Sequence, residues 1–413
     1  MPHMEMKFKY QMQKEDKNKA KNELAGYLKS STYLDLKPEI AMQIAKRLVK
    51  NKQMLDNKLS NIKLSILSNF NLDFIKESIE FCLYQRGLNA TIITCDYGTM
   101  ITELINPKSQ NYNFQPEYIL IWPTYRDITK FDEGPRKEVS FWSSLWKISK
   151  KKNIKIFQVL FDKPPFLHIK DLNNKKNIDL CTHISYTNAE LQKKYKNNIS
   201  FISIEKLQIH IGSKEWHDQR VYNLCKQPFS LNAVPSISHF LSSNIAGMLG
   251  KYKKVLILDL DNTLWGGEIG DLGVDNIILN RETSEGESYI NFQKYIKELH
   301  SAGVILAVCS KNNMRTAKEA FSKHPEMILK LDDIACFVAN FNDKASNITY
   351  IKKFLNIDFD SFVFVDDSRI ECEWVKNNIP DVSVVNLKGD PSYYINELDR
   401  HGFFTKEKIT KED

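Results

Sequence analysis

Short apolar runs alternate with stretches of helical spacing along most of this chain. In the first half the runs fall at 62–67, 90–94, 118–122, 154–160 and 199–204. In the second half they fall at 255–258, 304–309 and 362–365. The runs at 118–122, 255–258, 304–309 and 362–365 are apolar at every position, which predicts strands covered on both faces, as in parallel sheets with helices on either side. Single polar residues interrupt the other runs, which still read as strands. The spacing predicts a helix over 73–86, closed by Gly87, and another at 369–378. Lys344 opens a further helical pattern carried by Ile348, Ile351, Phe354 and Leu355. Near the amino terminus Tyr33, Leu34, Leu36, Ile40, Ile44 and Leu48 keep helical spacing, with Pro38 fitting a first-turn position. A chain of 413 residues with 42% hydrophobic content can bury two cores. The expected division is a helical extension over 1–58, an α/β domain over 59–245 and a second α/β domain over 246–413.

Charge changes this picture only at the amino terminus. Residues 1–58 hold thirteen Lys or Arg and seven Asp or Glu, a net of +6 within a chain of +7. Two readings stand: a solvated helical extension packed on the α/β body, or a landing surface for a strongly acidic carrier protein. Nucleic acid is not expected as a partner, because the basic residues are not interleaved with a recognisable binding motif. No charged-then-apolar leader and no run of eighteen apolar residues is present, so neither export nor membrane insertion is expected, and the expected location is cytoplasmic. Seven irregularly spaced cysteines read neither as a disulfide framework nor as a zinc site. The nine histidines lack metal-ligand spacing as well.

The chemistry concentrates at the ends of the later strands. Asp259-Leu260-Asp261-Asn262-Thr263 directly follows the run 255–258. Two carboxylates two residues apart at a buried strand end are costly unless a positive group joins them. A divalent cation together with a phosphate meets that need, which points to phosphoryl transfer through an aspartate. The run 304–309 leads into Ser310, a hydroxyl for a phosphate oxygen, and Lys344 offers a positive charge at a helix start. The run 362–365 ends in Asp366-Asp367, adjacent acids that repel each other without a cation. In an open parallel sheet such strand ends form the crevice where ligands bind.

Asp-x-Asp-x-Thr, a strand ending in Ser, a Lys and a strand ending in Asp-Asp form, in that order, a pattern that resembles the haloacid dehalogenase (HAD) superfamily. The stretches LDLDNTLWGGEIGDLGVDNI (258–277), LAVCSKNN (306–313), DKASNI (343–348) and FVFVDDSRIECEWVKNNIPDVSVV (362–385) resemble its FkbH-like branch. The fold class this implies is α/β, with two Rossmann-like parallel-sheet domains. The second is a HAD fold with a small flap over 264–283 and no large cap. The resemblance implies Asp259 as nucleophile and Asp261 as general acid and then base, its backbone carbonyl also reaching the metal. Thr263, Ser310, Asn312 and Lys344 would contact the phosphoryl group. Asp366 would ligate Mg²⁺, and Asp367 would hold a metal-bound water or orient Lys344. In activity, members of the branch are similar in taking a glyceryl unit from 1,3-bisphosphoglycerate, removing phosphate and loading the unit onto an acyl carrier protein. Such loading serves secondary-metabolite or surface-polysaccharide synthesis. Two other readings stay open: a plain HAD phosphatase for a sugar or acyl phosphate, and a non-catalytic assembly module with a structural Mg²⁺.

Two further side chains enter as catalytic candidates. Cys309 adjoins Ser310 and would serve a thioester relay, although neighbouring strand residues face opposite sides of a sheet. The stretch 64–83 resembles the start of the amino-terminal region of FkbH-like proteins, which has the look of an SGNH-hydrolase module, and Ser68 stands where the nucleophile of that module would be. Gly-Asp-Ser is replaced there by Leu67-Ser68-Asn69, and His217-Asp218 does not form a convincing Asp-x-x-His. Many FkbH-like proteins continue beyond the point where this chain stops, with a domain that resembles an acetyltransferase. A natural short form and a piece of a longer protein both remain open.

Overall fold

The computed structural model describes residues 31–52, 59–165 and 179–406. The chain forms two compact units, Met1–Leu249 and Gly250–Asp413. Most of the basic residues of 1–58 lie outside the described residues, so the landing-surface reading is not addressed.

The first unit is built on five parallel strands: β1 Ser60–Ser68, β2 Leu88–Thr94, β3 Tyr118–Trp122, β4 Lys155–Val159 and β5 Ser200–Ile202. Their order is β2-β1-β3-β4-β5, so the winding reverses between β1 and β3. Leu64, Ile66, Leu120, Trp122 and Val159 pack on one face, and Leu67, Ile119, Ile121 and Ile156 on the other. This burial on both faces explains the unbroken apolar run of β3. The helix Pro38–Asn51 carries proline in its first turn and buries Ile40, Ile44 and Leu48 against Phe81, Cys82 and Tyr84. Each of those three aliphatic side chains contributes about 1.5–3 kcal/mol by leaving water. The helix thus belongs to the packed body of the first unit.

The second unit repeats the plan with β6 Val255–Leu258, β7 Ile305–Ser310, β8 Ile334–Ala339, β9 Phe362–Asp366 and β10 Ser383–Asn386. The order is β10-β9-β6-β7-β8, all parallel, with β6 central. β8 and β10 were not anticipated as strands from the sequence. Both are short edge strands with exposed or half-buried positions, and β10 carries only two apolar residues between Ser383 and Asn386. Leu258 pairs with Val365 on one side and Val308 on the other. That register places Asp259 beside Asp366 at the reversal between β6 and β9.

The segment 264–283 holds the one-turn helix Ile269–Leu272 and is pinned by a single antiparallel bridge between Gly266 and Ile278. It is a small flap, tied back by two backbone hydrogen bonds of 3.0 and 2.8 Å, without a paired hairpin of strands. Gly267 has φ +88°, and a Cβ there would lie 2.3 Å from Leu272 Cδ1, so glycine is required.

Candidate functional site

Asp259 follows the last residue of the central strand, and its backbone N–H donates to Val365 O at 3.0 Å, which fixes it against β9. Lys344 begins the helix Lys344–Leu355, whose N-cap is Asp343. Its ammonium reaches back to Asp259 Oδ1 at 2.8 Å and also bonds Asp366 Oδ2. All three side chains are buried. Carboxylate oxygens of Asp259, Asp366 and Asp367 lie within 4.8 Å of one another. Burial opposes the charge on Lys344, but the two carboxylates outweigh it and hold the ammonium above its ordinary range. Burial, and then the charge of Asp259, push Asp366 up to about 7 and Asp367 up to about 6. Two acids driven upward beside a third carboxylate, around one cation, are short of positive charge, and hard oxygen donors of this kind fit Mg²⁺.

Asp261 is placed differently. Its Oδ1 accepts from Trp265 Nε1 at 2.9 Å and from the backbone N–H of Ile269 at 3.2 Å. Its Oδ2 accepts from Asn312 Nδ2 at 3.0 Å, and Asn312 also donates to Ser310 Oγ at 3.1 Å. Desolvation raises the pKa of Asp261 against the pull of these donors. The carboxylate of Asp261 therefore stands outside the three-acid group, and the metal contact expected of this residue is its backbone carbonyl. Thr263 Oγ1 is buried and has no hydrogen-bond partner among the described residues, an acceptor and donor left over beside the acids. Ser310, the last residue of β7, is also buried. The structure thus brings together Asp259, Lys344, Asp366 and Asp367 as one group, and Asp261, Asn312 and Ser310 as a hydrogen-bonded chain. Ser368, not Asp367, caps the helix Arg369–Asn378, which leaves the Asp367 carboxylate to the acidic group. Lys344 bonds Asp366, not Asp367, so the orienting role expected of Asp367 toward Lys344 has no direct bond behind it.

Two catalytic candidates are displaced. Cys309 is wholly buried among Val255, Ile257, Ala307 and Phe364, with its Sγ 3.9 Å from the carbonyl of Lys344. Burial pushes its thiol far up, whereas a thioester nucleophile has to ionise, so this placement runs against a relay. The cause is strand alternation: Ser310 faces the crevice end and Cys309 faces the core. Ser68 closes β1 as expected, but it is fully buried and its hydroxyl donates to Phe70 O at 2.8 Å. His217 Nε2 lies 3.0 Å from Lys163 O, and Asp218 caps the helix Gln219–Cys225, so neither serves Ser68 as a base.

Three supporting residues were not singled out from the sequence. Trp265 holds Asp261. Asn262 adopts φ +53° and accepts from the Gly267 N–H at 2.8 Å, fastening the nucleophile turn to the flap. Tyr394 donates its hydroxyl to Asn262 O at 3.1 Å. The four-residue step from Asp261 to Trp265 was a local signal. Tyr394 has none, because it arrives from 132 residues away.

A family profile described as FkbH, N-terminal domain, matches residues 63–245. Among solved structures, the N-terminal part of the protein BF1531 from Bacteroides fragilis contains a phosphatase domain and was crystallised in complex with Mg. It shares 30% identity with this chain at a TM-score of 0.81, covering 88% of this chain and 98% of that one. A GDSL-like lipase (BT0569) from Bacteroides thetaiotaomicron overlaps 49% of this chain and 96% of its own at 12% identity. Its TM-score of 0.31 is too low to argue from. No curated protein matches the sequence. With 30% identity spread over nearly the whole of BF1531's N-terminal part, and the four-part acidic centre in place, the chain belongs to the FkbH-like branch of the HAD superfamily.

Proposed function

We propose that the second unit is a Mg²⁺-dependent phosphatase centre that works through an aspartyl-phosphate on Asp259. The observation that carries this reading is Lys344 bridging Asp259 and Asp366 with Asp367 alongside, at the carboxyl end of the central strand. Asp259 attacks phosphorus, and the bond from phosphorus to the leaving oxygen breaks. Asp261, its pKa raised by burial and its carboxyl aimed by Trp265 and Asn312, gives that oxygen its proton. Asp261 then takes a proton from water, whose oxygen attacks the phosphorus and frees Asp259 as a carboxylate. Thr263 and Ser310 bind the phosphoryl oxygens, and Lys344 offsets their charge. A Mg²⁺ ion held by Asp259, Asp366 and Asp367 would neutralise further phosphoryl charge. The Mg-bound crystal form of BF1531 supports that choice of metal.

Within this reading the substrate is 1,3-bisphosphoglycerate. The thiol of an acyl carrier protein attacks the acyl carbon and the acyl phosphate leaves, while Asp259 takes the ester phosphate at the other end of the glyceryl unit. The membership in the FkbH-like branch supports this step, and the small flap leaves room for a carrier-bound substrate. Intact-mass spectrometry tests it. The protein is incubated with Mg²⁺, an enzymatic supply of 1,3-bisphosphoglycerate and a holo acyl carrier protein, beside Asp259→Asn. A glyceryl adduct on the carrier that vanishes with Asp259→Asn is the expected result. Phosphate release with an unmodified carrier would leave a plain phosphatase, and turnover by Asp259→Asn would remove the aspartyl-phosphate.

A further inference from the structure

The first unit has its own strand-end crevice where the winding reverses between β1 and β3. Ser68 pairs with Trp122 at the end of that reversal, so Asn69 and the turn Thr124–Asp127 emerge side by side. The turn is fastened from three directions. The backbone N–H and the hydroxyl of Thr124 both donate to Asp127 Oδ2, at 2.7 and 3.1 Å. Asn69 Nδ2 donates to Asp127 Oδ1 at 2.8 Å, and the Tyr125 N–H donates to Asp162 Oδ1 at 2.7 Å. Arg126 stands on this fixed turn.

Its guanidinium carbon lies 3.8 Å from the ring centre of Tyr222 and 4.6 Å from that of Tyr125. One amino group donates to Gln219 Oε1 at 3.1 Å. Nε is buried and has no hydrogen-bond partner, and Arg126 makes no ion pair with any described residue. The neighbouring acid does not supply one: the oxygens of Asp127 accept from Asn69 and Thr124 and not from Arg126. A guanidinium has five N–H donors, and a buried one left unused is unfavourable until something accepts from it. Two aromatic faces hold the fork rigid while its amino end stays open to solvent, which favours an anion offering two oxygens. No nucleophile competes for this role, since the Ser68 hydroxyl is spent on Phe70 O.

We propose that this crevice is an oxyanion-binding site in which Arg126 anchors the phosphate or carboxylate of a small organic ligand. It is a site for binding and not for hydrolysis, and it is built from residues of the first unit alone.

Equilibrium dialysis of the full chain against radiolabelled inorganic phosphate counts the anions bound per chain, and competition by glycerate distinguishes a carboxylate from a phosphate site. Arg126→Met is expected to weaken one class of sites by about 10- to 100-fold, the usual effect of losing a charged hydrogen-bond donor. Hydrolysis of p-nitrophenyl phosphate and the unfolding midpoint should stay as in the wild type. Arg126→Lys keeps the charge without the planar fork and serves where the methionine variant folds poorly; it should still lose about tenfold. Phosphate and glycerate binding unchanged in both variants would overturn the proposal, as would a wild-type chain whose bound phosphate is all removed by Ser310→Ala.

Discussion

The indole nitrogen of Trp265 donates to Asp261 Oδ1 at 2.9 Å, from a position four residues further along the same turn. The general acid of the proposed reaction is therefore aimed by a side chain that is itself wholly buried. Trp265→Phe keeps most of the apolar volume and removes only the donor. It should lower kcat by about tenfold with KM changed much less, because a misaligned acid weakens the transition state more than substrate binding. Steady-state kinetics with p-nitrophenyl phosphate would settle it; a variant with raised KM and unchanged kcat would mean that Trp265 shapes binding instead.

Lys344 neutralises two acids that face each other across adjoining strands. Lys344→Met should lower kcat by at least about 100-fold, in the range seen when a preorganised charge partner is removed. It should also destabilise the metal-free protein by about 3–5 kcal/mol, since it leaves buried carboxylates without their cation. Millimolar Mg²⁺ should then raise the melting temperature of the variant more than that of the wild type, because the metal takes over charge that Lys344 supplied. Thermal scans with EDTA and with Mg²⁺ make the comparison. An equal Mg²⁺ shift in both proteins would show that Lys344 does not share a charge deficit with the metal site.

The sequence was most legible where one strand end carries its own chemistry. Asp259, Ser310 and Asp366 each follow an apolar run, and parallel register then brings two of them together at the sheet's reversal. The expected strand at 118–122 and the helix at 369–378 match the observed bounds. β10 was missed because Ser383 and Asn386 leave only two apolar residues between them, whereas β8, Ile334–Ala339, is apolar throughout and was legible as a run. The orientation of Cys309 was a matter of strand alternation, open until its neighbour Ser310 was placed. The role of Tyr394 was out of reach, since no local pattern tells a tyrosine near the carboxyl end that it will meet Asn262.

Cys309 gives a test with opposite outcomes for the two roles. As a core residue it contributes packing, so Cys309→Ala should cost about 1–2 kcal/mol through the lost sulfur atom and leave the phosphatase rate within about twofold. Glyceryl transfer to a carrier should persist as well. A variant of nearly normal unfolding midpoint that releases phosphate but no longer modifies the carrier would restore the thioester relay, and the burial argument would have failed.

Asp162 offers a pH signature independent of the acidic centre. It is almost fully buried, accepting from the Tyr125 N–H at 2.7 Å and from Trp216 Nε1 at 3.3 Å. Burial dominates those donors and pushes its carboxyl up to about 7. A carboxyl whose folded pKa lies above its unfolded value favours the folded state when protonated. That contribution is complete below about pH 4, shrinks as pH rises, and is gone above about pH 7. From pH 5 to pH 8 the wild type should lose about 2–3 kcal/mol from this group alone. Asp162→Asn has no such proton to lose, so its stability relative to wild type should improve by that amount between the two pH values. Urea unfolding of both proteins at pH 5 and pH 8 measures the difference. A wild-type-to-variant gap that is the same at both pH values would mean that Asp162 is ionised in the fold, held by Tyr125 and Trp216 more firmly than burial opposes it.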